Sequence, residues 1–138
     1  MIRKVFVDSD VILDVATGRT PFVDASAETL SIMENGLAVG VVSSNSVTNI
    51  YYVLRKLGSS EKAKAFLRTI LEYLSVIPVD HNNIRKALDS EFLDFEDGVQ
   101  HYCAFENGCD LIVTRNVEDY GEFQIEVLTP REFVLRFK

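Results

Sequence analysis

Acidic residues recur in this chain directly after short apolar runs. Asp8, Ser9 and Asp10 follow Val5, Phe6 and Val7, and Asp94 and Asp97 open the stretch L-D-F-E-D-G-V-Q. Thr114, Arg115, Asn116 and Asp119 follow Leu111, Ile112 and Val113. The runs at residues 5–7 and 111–113 are too short for helices and have the composition of strands buried on both faces. A carboxylate at the end of such a strand is costly unless it is solvated, hydrogen-bonded or facing a cation. Several of them at one edge would repel strongly without a cation between them. Oxygen donors favour hard Mg²⁺ or Mn²⁺ over zinc, and such an ion can meet a phosphate and activate water. Each acid also has a plainer reading. Asp8 or Ser9 can N-cap the helix that follows, and Asp94 with Asp97 three residues later fits an ordinary helix start.

The elements that must position these groups are legible from periodicity and punctuation. Residues 9–17 read as a helix stopped by Gly18, and Asp24 or Ser26 can cap a helix running through residue 35, before Gly36. A second buried strand is expected over residues 37–42. It ends in the polar cluster 43–46, and a helix over 47–57 follows, with Asn49 on its first turn. After Gly58 a helix runs from about 59 to about 74, and a strand over 76–79 contains Pro78, which marks an edge or an early end. Asp80 caps a helix over 81–88, Asp94 one reaching residue 107, and strands follow at 111–114 and 126–128. Pro130 opens a terminal helix over 131–137. This order predicts an α/β fold, a mostly parallel sheet of about five strands between helical layers. Right-handed connections bring Asp8, residues 43–49, Asp94 with Asp97, and Asn116 with Asp119 to one edge, where ligands bind in such sheets.

With 138 residues the chain reads as one domain, 1–138, with enough apolar content for a core. No apolar run approaches the roughly 18–20 residues of a membrane span, and the N-terminus passes straight into the first strand, so neither membrane nor export is expected. Cys103 and Cys109 have no zinc-site or disulfide spacing, and the expected compartment is the reducing cytoplasm. The net charge of −7 argues against passive nucleic-acid binding, though not against a metal-dependent nuclease. Arg55, Lys56, Lys62, Lys64 and Arg68 form either a solvated helical face or a local phosphate patch. His81 lacks a second ligand at metal spacing, and His101, one turn after Asp97 and within its reach, reads as a packed or surface histidine.

V-D-S-D near the start, D-F-E-D-G-V-Q before a helix, and I-V-T-R-N-V-E-D-Y after it resemble the PIN domain. The chain is similar along its length to the branch containing the toxin ribonucleases of VapBC-type toxin–antitoxin modules. The resemblance implies a three-layer α/β/α fold and a Mg²⁺- or Mn²⁺-dependent endoribonuclease whose products carry a 5′-phosphate and a 3′-hydroxyl. It implies an RNA substrate, an antitoxin partner and a homodimer. By position the first family acid is Asp8 and the third Asp97. The fourth position falls on Asn116, with Asp119 three residues on, and these groups would do the catalysis, with Asp8, Asp97 and Asp119 on the metal. The second acid aligns with Asn49, a departure, because an amide cannot supply charge. Thr114 or Ser9 would support the site, Asp94 would flank it, and Arg115 would contact phosphate or pair with Glu118 or Asp119. Three rival classes are a PIN-fold binding module with a weakened site, a haloacid-dehalogenase-type phosphatase with Asp8 as nucleophile, and a receiver-like phosphoacceptor. T-R-N-V-E-D is a poor match to the paired-acid loop of the phosphatases. For the receiver, no acceptor Asp ends a central strand and no Lys follows the last one.

Overall fold

Val5, Phe6 and Val7 are fully buried, and they alternate between two apolar clusters on opposite faces of a sheet. In the computed structural model, which describes residues 3–120 and 125–137, they lie in the central strand β1 (Lys4–Val7). The chain continues through α1 (Ser9–Thr17), α2 (Val23–Glu34), β2 (Val39–Ser43), α3 (Ser44–Leu57) and α4 (Ser60–Ile70). Then come β3 (Leu74–Ile77), α5 (His81–Leu88), α6 (Phe95–Glu106), β4 (Leu111–Val113), α7 (Val117–Tyr120), β5 (Glu126–Leu128) and α8 (Pro130–Phe137).

The sheet order is β3-β2-β1-β4-β5 and every pairing is parallel. Val5 and Val7 join Val42, Leu111 and Val113 in packing against α1, α2, α3, α4 and α8, through residues such as Ile12, Met33, Ile50, Leu67 and Phe133. Phe6, Val41 and Ile112 face the other way, onto Cys103 and Ala104 of α6 and Tyr120 of α7. The expected three-layer α/β/α architecture is therefore present. Because β2 and β4 flank β1, the connections leave in opposite directions there. This opens a crevice beyond the carboxyl ends of β1 and β4.

Several boundaries differ from expectation, each for a local reason. Strand β2 begins at Val39, where pairing with β1 starts, because the Leu37 backbone N–H is used on Ile32 O at the end of α2, and it runs on through Ser43. Ser43 caps α3 by accepting the Ser46 backbone N–H at 3.0 Å, so the helix starts at Ser44 and Asn49 falls on its second turn. Helix α2 starts at Val23 behind Phe22, which makes no side-chain cap, so neither Asp24 nor Ser26 serves there. Helix α4 stops at Ile70 and Leu74 opens β3, whose inward residues are Leu74 and Ile77; Pro78 follows the strand rather than breaking it. Strand β3 is an edge, as Pro78 suggested. The short helix α7 was not anticipated.

Gly40 on β2 is required by packing. A Cβ there would run into the side chains of Leu74 and Met33. Gly40→Val should cost about 1–3 kcal/mol through overpacking, read as a shifted urea midpoint at constant slope.

Candidate active site

The site is built on Asp8, the first residue after β1. Its backbone N–H continues the ladder to Val113 O at 3.0 Å, and the chain turns at once into α1. Asp8 is the N-cap of α1: its Oδ1 accepts the Ser9 backbone N–H at 2.7 Å. The capping reading and the site reading of Asp8 are thus both satisfied by one side chain, which is 5% exposed. Its Oδ2 accepts from Thr114 Oγ1 at 2.8 Å and from the Tyr120 hydroxyl at 3.3 Å, with Gln100 of α6 adding a further bond. Burial raises the Asp8 pKa, and those hydrogen bonds pull it back down.

Thr114 follows β4 and also accepts the Asn116 backbone N–H at 3.1 Å, which orders the loop beyond the strand. Asn116 then donates from Nδ2 to Asp10 Oδ2 at 3.2 Å. Asp10 stands on the first turn of α1 beside Asp8, and its Oδ1 is buried without a hydrogen-bond partner. Burial, followed by the charge of Asp8, pushes the Asp10 pKa up to about 7, against the opposing charge of Arg115.

From the other side of the crevice comes α6. Asp94 caps it, accepting the Asp97 backbone N–H at 3.1 Å, so the cap role belongs to Asp94 and the Asp97 carboxylate is left for the site. Asp97 is half-buried. Burial, then the charges of Asp94, Asp8, Asp119 and Glu96, raise its pKa to about 7. Asp119 on α7 is exposed but within electrostatic reach of Asp97.

The structure therefore brings together Asp8, Asp97, Asp119, Asn116, Thr114 and Asp94, with Ser9 contributing its backbone N–H. Asn49 is exposed on the second turn of α3, and its side chain makes no hydrogen bond to a described residue. Ser43 and Ser46 bond each other, and Ser44 Oγ accepts the Val79 N–H at 3.1 Å, so this cluster is consumed in holding β2, α3 and β3 together. Arg115 pairs with neither Glu118 nor Asp119. Its Nε lies 2.8 Å from Asp14 Oδ2. Asp10, Asp14, Gln100 and Tyr120 were missed as site groups. The D-S-D spacing was the available signal for Asp10, since it puts a second acid on the first turn of α1.

Thr114→Val removes the shortest donor to Oδ2 of Asp8 and should destabilise the protein by about 1–3 kcal/mol, with Thr114→Ser close to wild type in urea denaturation. Asp10 and Asp97 are raised above the ~3.9 of an unfolded aspartate. Their contribution to stability is full below about pH 4 and is lost as pH rises through about 7. With chelator present, the melting temperature should fall between about pH 4 and about pH 7. Asp97→Asn should flatten that fall in scanning calorimetry.

The sequence matches the PIN domain family over residues 4–118. It is 33% identical over 140 aligned residues to Ribonuclease VapC1 of Aquifex aeolicus (strain VF5), an alignment spanning 98% of this chain and 96% of that protein. The fold resembles DNA-bound VapBC from Salmonella typhimurium, with a TM-score of 0.71 at 15% identity over 94% of this chain and 99% of that one. It also resembles VapBC2 from Rickettsia felis bound to a promoter DNA fragment, with a TM-score of 0.70 at 14% identity over 90% and 96% of the two chains. The structural likenesses show a shared fold, and the sequence matches go further: this chain belongs to the PIN domain family.

Proposed function

We propose that this chain is an endoribonuclease that hydrolyses RNA phosphodiester bonds with Mg²⁺ or Mn²⁺, and that it is the toxin of a toxin–antitoxin pair. The observation that carries the reading is the gathering of Asp8, Asp10 and Asp97 at the crevice, with Asp119 nearby. They repel one another, and one buried oxygen of Asp10 has no protein partner. The name of the Aquifex relative supports ribonuclease activity, and the VapBC assemblies support an antitoxin partner.

The donor chemistry fits a hard divalent cation, since every candidate ligand is a carboxylate oxygen. Among the described residues no three His, Cys, Asp or Glu side chains already enclose a metal position, so the site offers donors rather than a finished cage. Asp8, Asp97 and Asp119 would hold the ion, with Asp10 added by its unpartnered oxygen. Bound there, it would supply charge for the attacking water and for the leaving oxygen, giving a 5′-phosphate and a 3′-hydroxyl. Thr114, Tyr120 and Gln100 fix the orientation of the Asp8 carboxylate, and Asn116 does the same for Asp10. Such outer hydrogen bonds hold ligand oxygens in place as surely as the ligands hold an ion.

The test combines calorimetric titration of Mg²⁺ and Mn²⁺ with cleavage of a structured RNA by wild type, Asp8→Asn and Asp97→Asn. Both variants should lose cation binding. Their cleavage should fall further than the roughly 10- to 100-fold typical of losing an outer partner. A wild type that binds the ions yet leaves RNA intact would favour the binding-module reading. Undiminished cleavage by Asp8→Asn would sink the assignment.

A further inference from the structure

Asp14 lies one turn beyond Asp10 on α1 and is 1% exposed. A carboxylate so placed needs a compensating charge, and Arg115 provides it from across the crevice. The guanidinium presents Nε to Asp14 Oδ2 at 2.8 Å, and its central carbon lies over the Phe22 ring, 4.2 Å from the centroid. The Nε–carboxylate approach is a charge pair outside aligned hydrogen-bond geometry. A cation held over a ring while facing a carboxylate suits the broad, delocalised guanidinium of arginine.

The same residue serves the acidic cluster through its backbone. The Arg115 N–H bonds to the Asp10 carboxylate, Thr114 donates to Asp8, and Asn116 donates to Asp10. Three consecutive residues after β4 are thus laid along two turns of α1, and the Arg115 side chain is the anchor at the farther turn. We infer that the Asp14–Arg115 pair, covered by Phe22, is a positioning clamp. It holds residues 114–116 against α1, so that Thr114 and Asn116 present their donors to Asp8 and Asp10. The Arg115 guanidinium is engaged by Asp14 inside the fold rather than offered to a phosphate, while its charge also bears on Asp10. The activity part of the inference rests on the ribonuclease reading; the geometric part does not.

Three variants of the full chain test the clamp: Asp14→Asn, Arg115→Gln and the double substitution. In metal-free protein labelled with ¹⁵N, Asp14→Asn should remove the ordered Arg115 Nε–H resonance. It should also shift the side-chain amide signals of Asn116, which bonds Asp10 and not Asp14. With Mn²⁺ and RNA, kcat should fall roughly 10- to 100-fold, the scale of a misplaced site. KM should change by less than about threefold, and the double variant should be no worse than Arg115→Gln alone. If Asp14→Asn does not fold, Phe22→Ala, which leaves both charges in place and trims a partly exposed ring, should show the same two effects in smaller measure.

A folded Asp14→Asn with unchanged Asn116 signals and unchanged kcat overturns the clamp. So does tighter RNA binding by Asp14→Asn together with a raised KM in Arg115→Gln, the pattern of a phosphate contact. If the wild type leaves RNA uncut, the ribonuclease reading fails and the Asn116 resonances still decide the clamp.

Discussion

A carboxylate sealed at the end of a central strand constrains everything around it. Asp8 has almost no access to water, so its oxygens must be answered by protein donors, and a parallel sheet dictates where these come from. The β1–β4 register sets Val7 opposite Val113, which puts the next residues, Asp8 and Thr114, level with each other just beyond the ladder. The hydroxyl of Thr114 then reaches Asp8 without any bend in either strand. Tyr120 arrives from α7 and Gln100 from α6, so each element bordering the crevice contributes to one side chain. Net stability in a folded domain is small against the cost of an unanswered buried charge. This set of hydrogen bonds is therefore a condition of the fold as well as of any chemistry.

The acids of α1 are treated unequally. Asp14, deeper along the helix, is matched by a guanidinium of its own. Asp10 gains an amide and a backbone N–H but keeps one oxygen unanswered, and Asp97 faces mainly other acids. Asp14 is thus given a nearby cation within the fold, whereas Asp10 and Asp97 are left at the crevice, where an external cation can reach them. Local dielectric amplifies the distinction, because like charges interact more strongly in a partly dry site than at an open surface.

What could be read from the sequence was what depends on neighbours in the chain. Burial on both faces, capping by Asp8 and Asp94, glycine stops and the alternation of strands with helices all follow from a few adjacent residues, and the fold class followed from them. The boundaries of β2, β3 and α4 moved because a backbone hydrogen bond at Leu37 and packing at Leu74, not propensity, decide whether each belongs to a strand. That Asp97 and Asp119 come near Asp8 was legible because strand ends converge in a parallel sheet. The partner of Arg115 was not: Glu118 and Asp119 are nearby in sequence, whereas Asp14 is reached only across the β1–β4 crevice. Asn49, which the family resemblance sets at the second-acid position, stands exposed on the second turn of α3 rather than the first, because Ser43 is the cap.

The donors to Asp8 lie far along the chain, with Thr114 separated from it by 106 positions and Tyr120 by 112. Contacts of such high order form late, since the intervening loop must close before it is rewarded. During synthesis β1 precedes β4 and α7, so the Asp8 Oδ1 can meet the Ser9 N–H early while its Oδ2 waits for Thr114 and Tyr120. A nascent or prematurely terminated chain that ends before β4 holds Asp8 without Thr114 or Tyr120 and has no assembled crevice. The topology thereby makes synthesis through Tyr120 a precondition for the assembled crevice, a built-in delay between making β1 and closing the site around its acid.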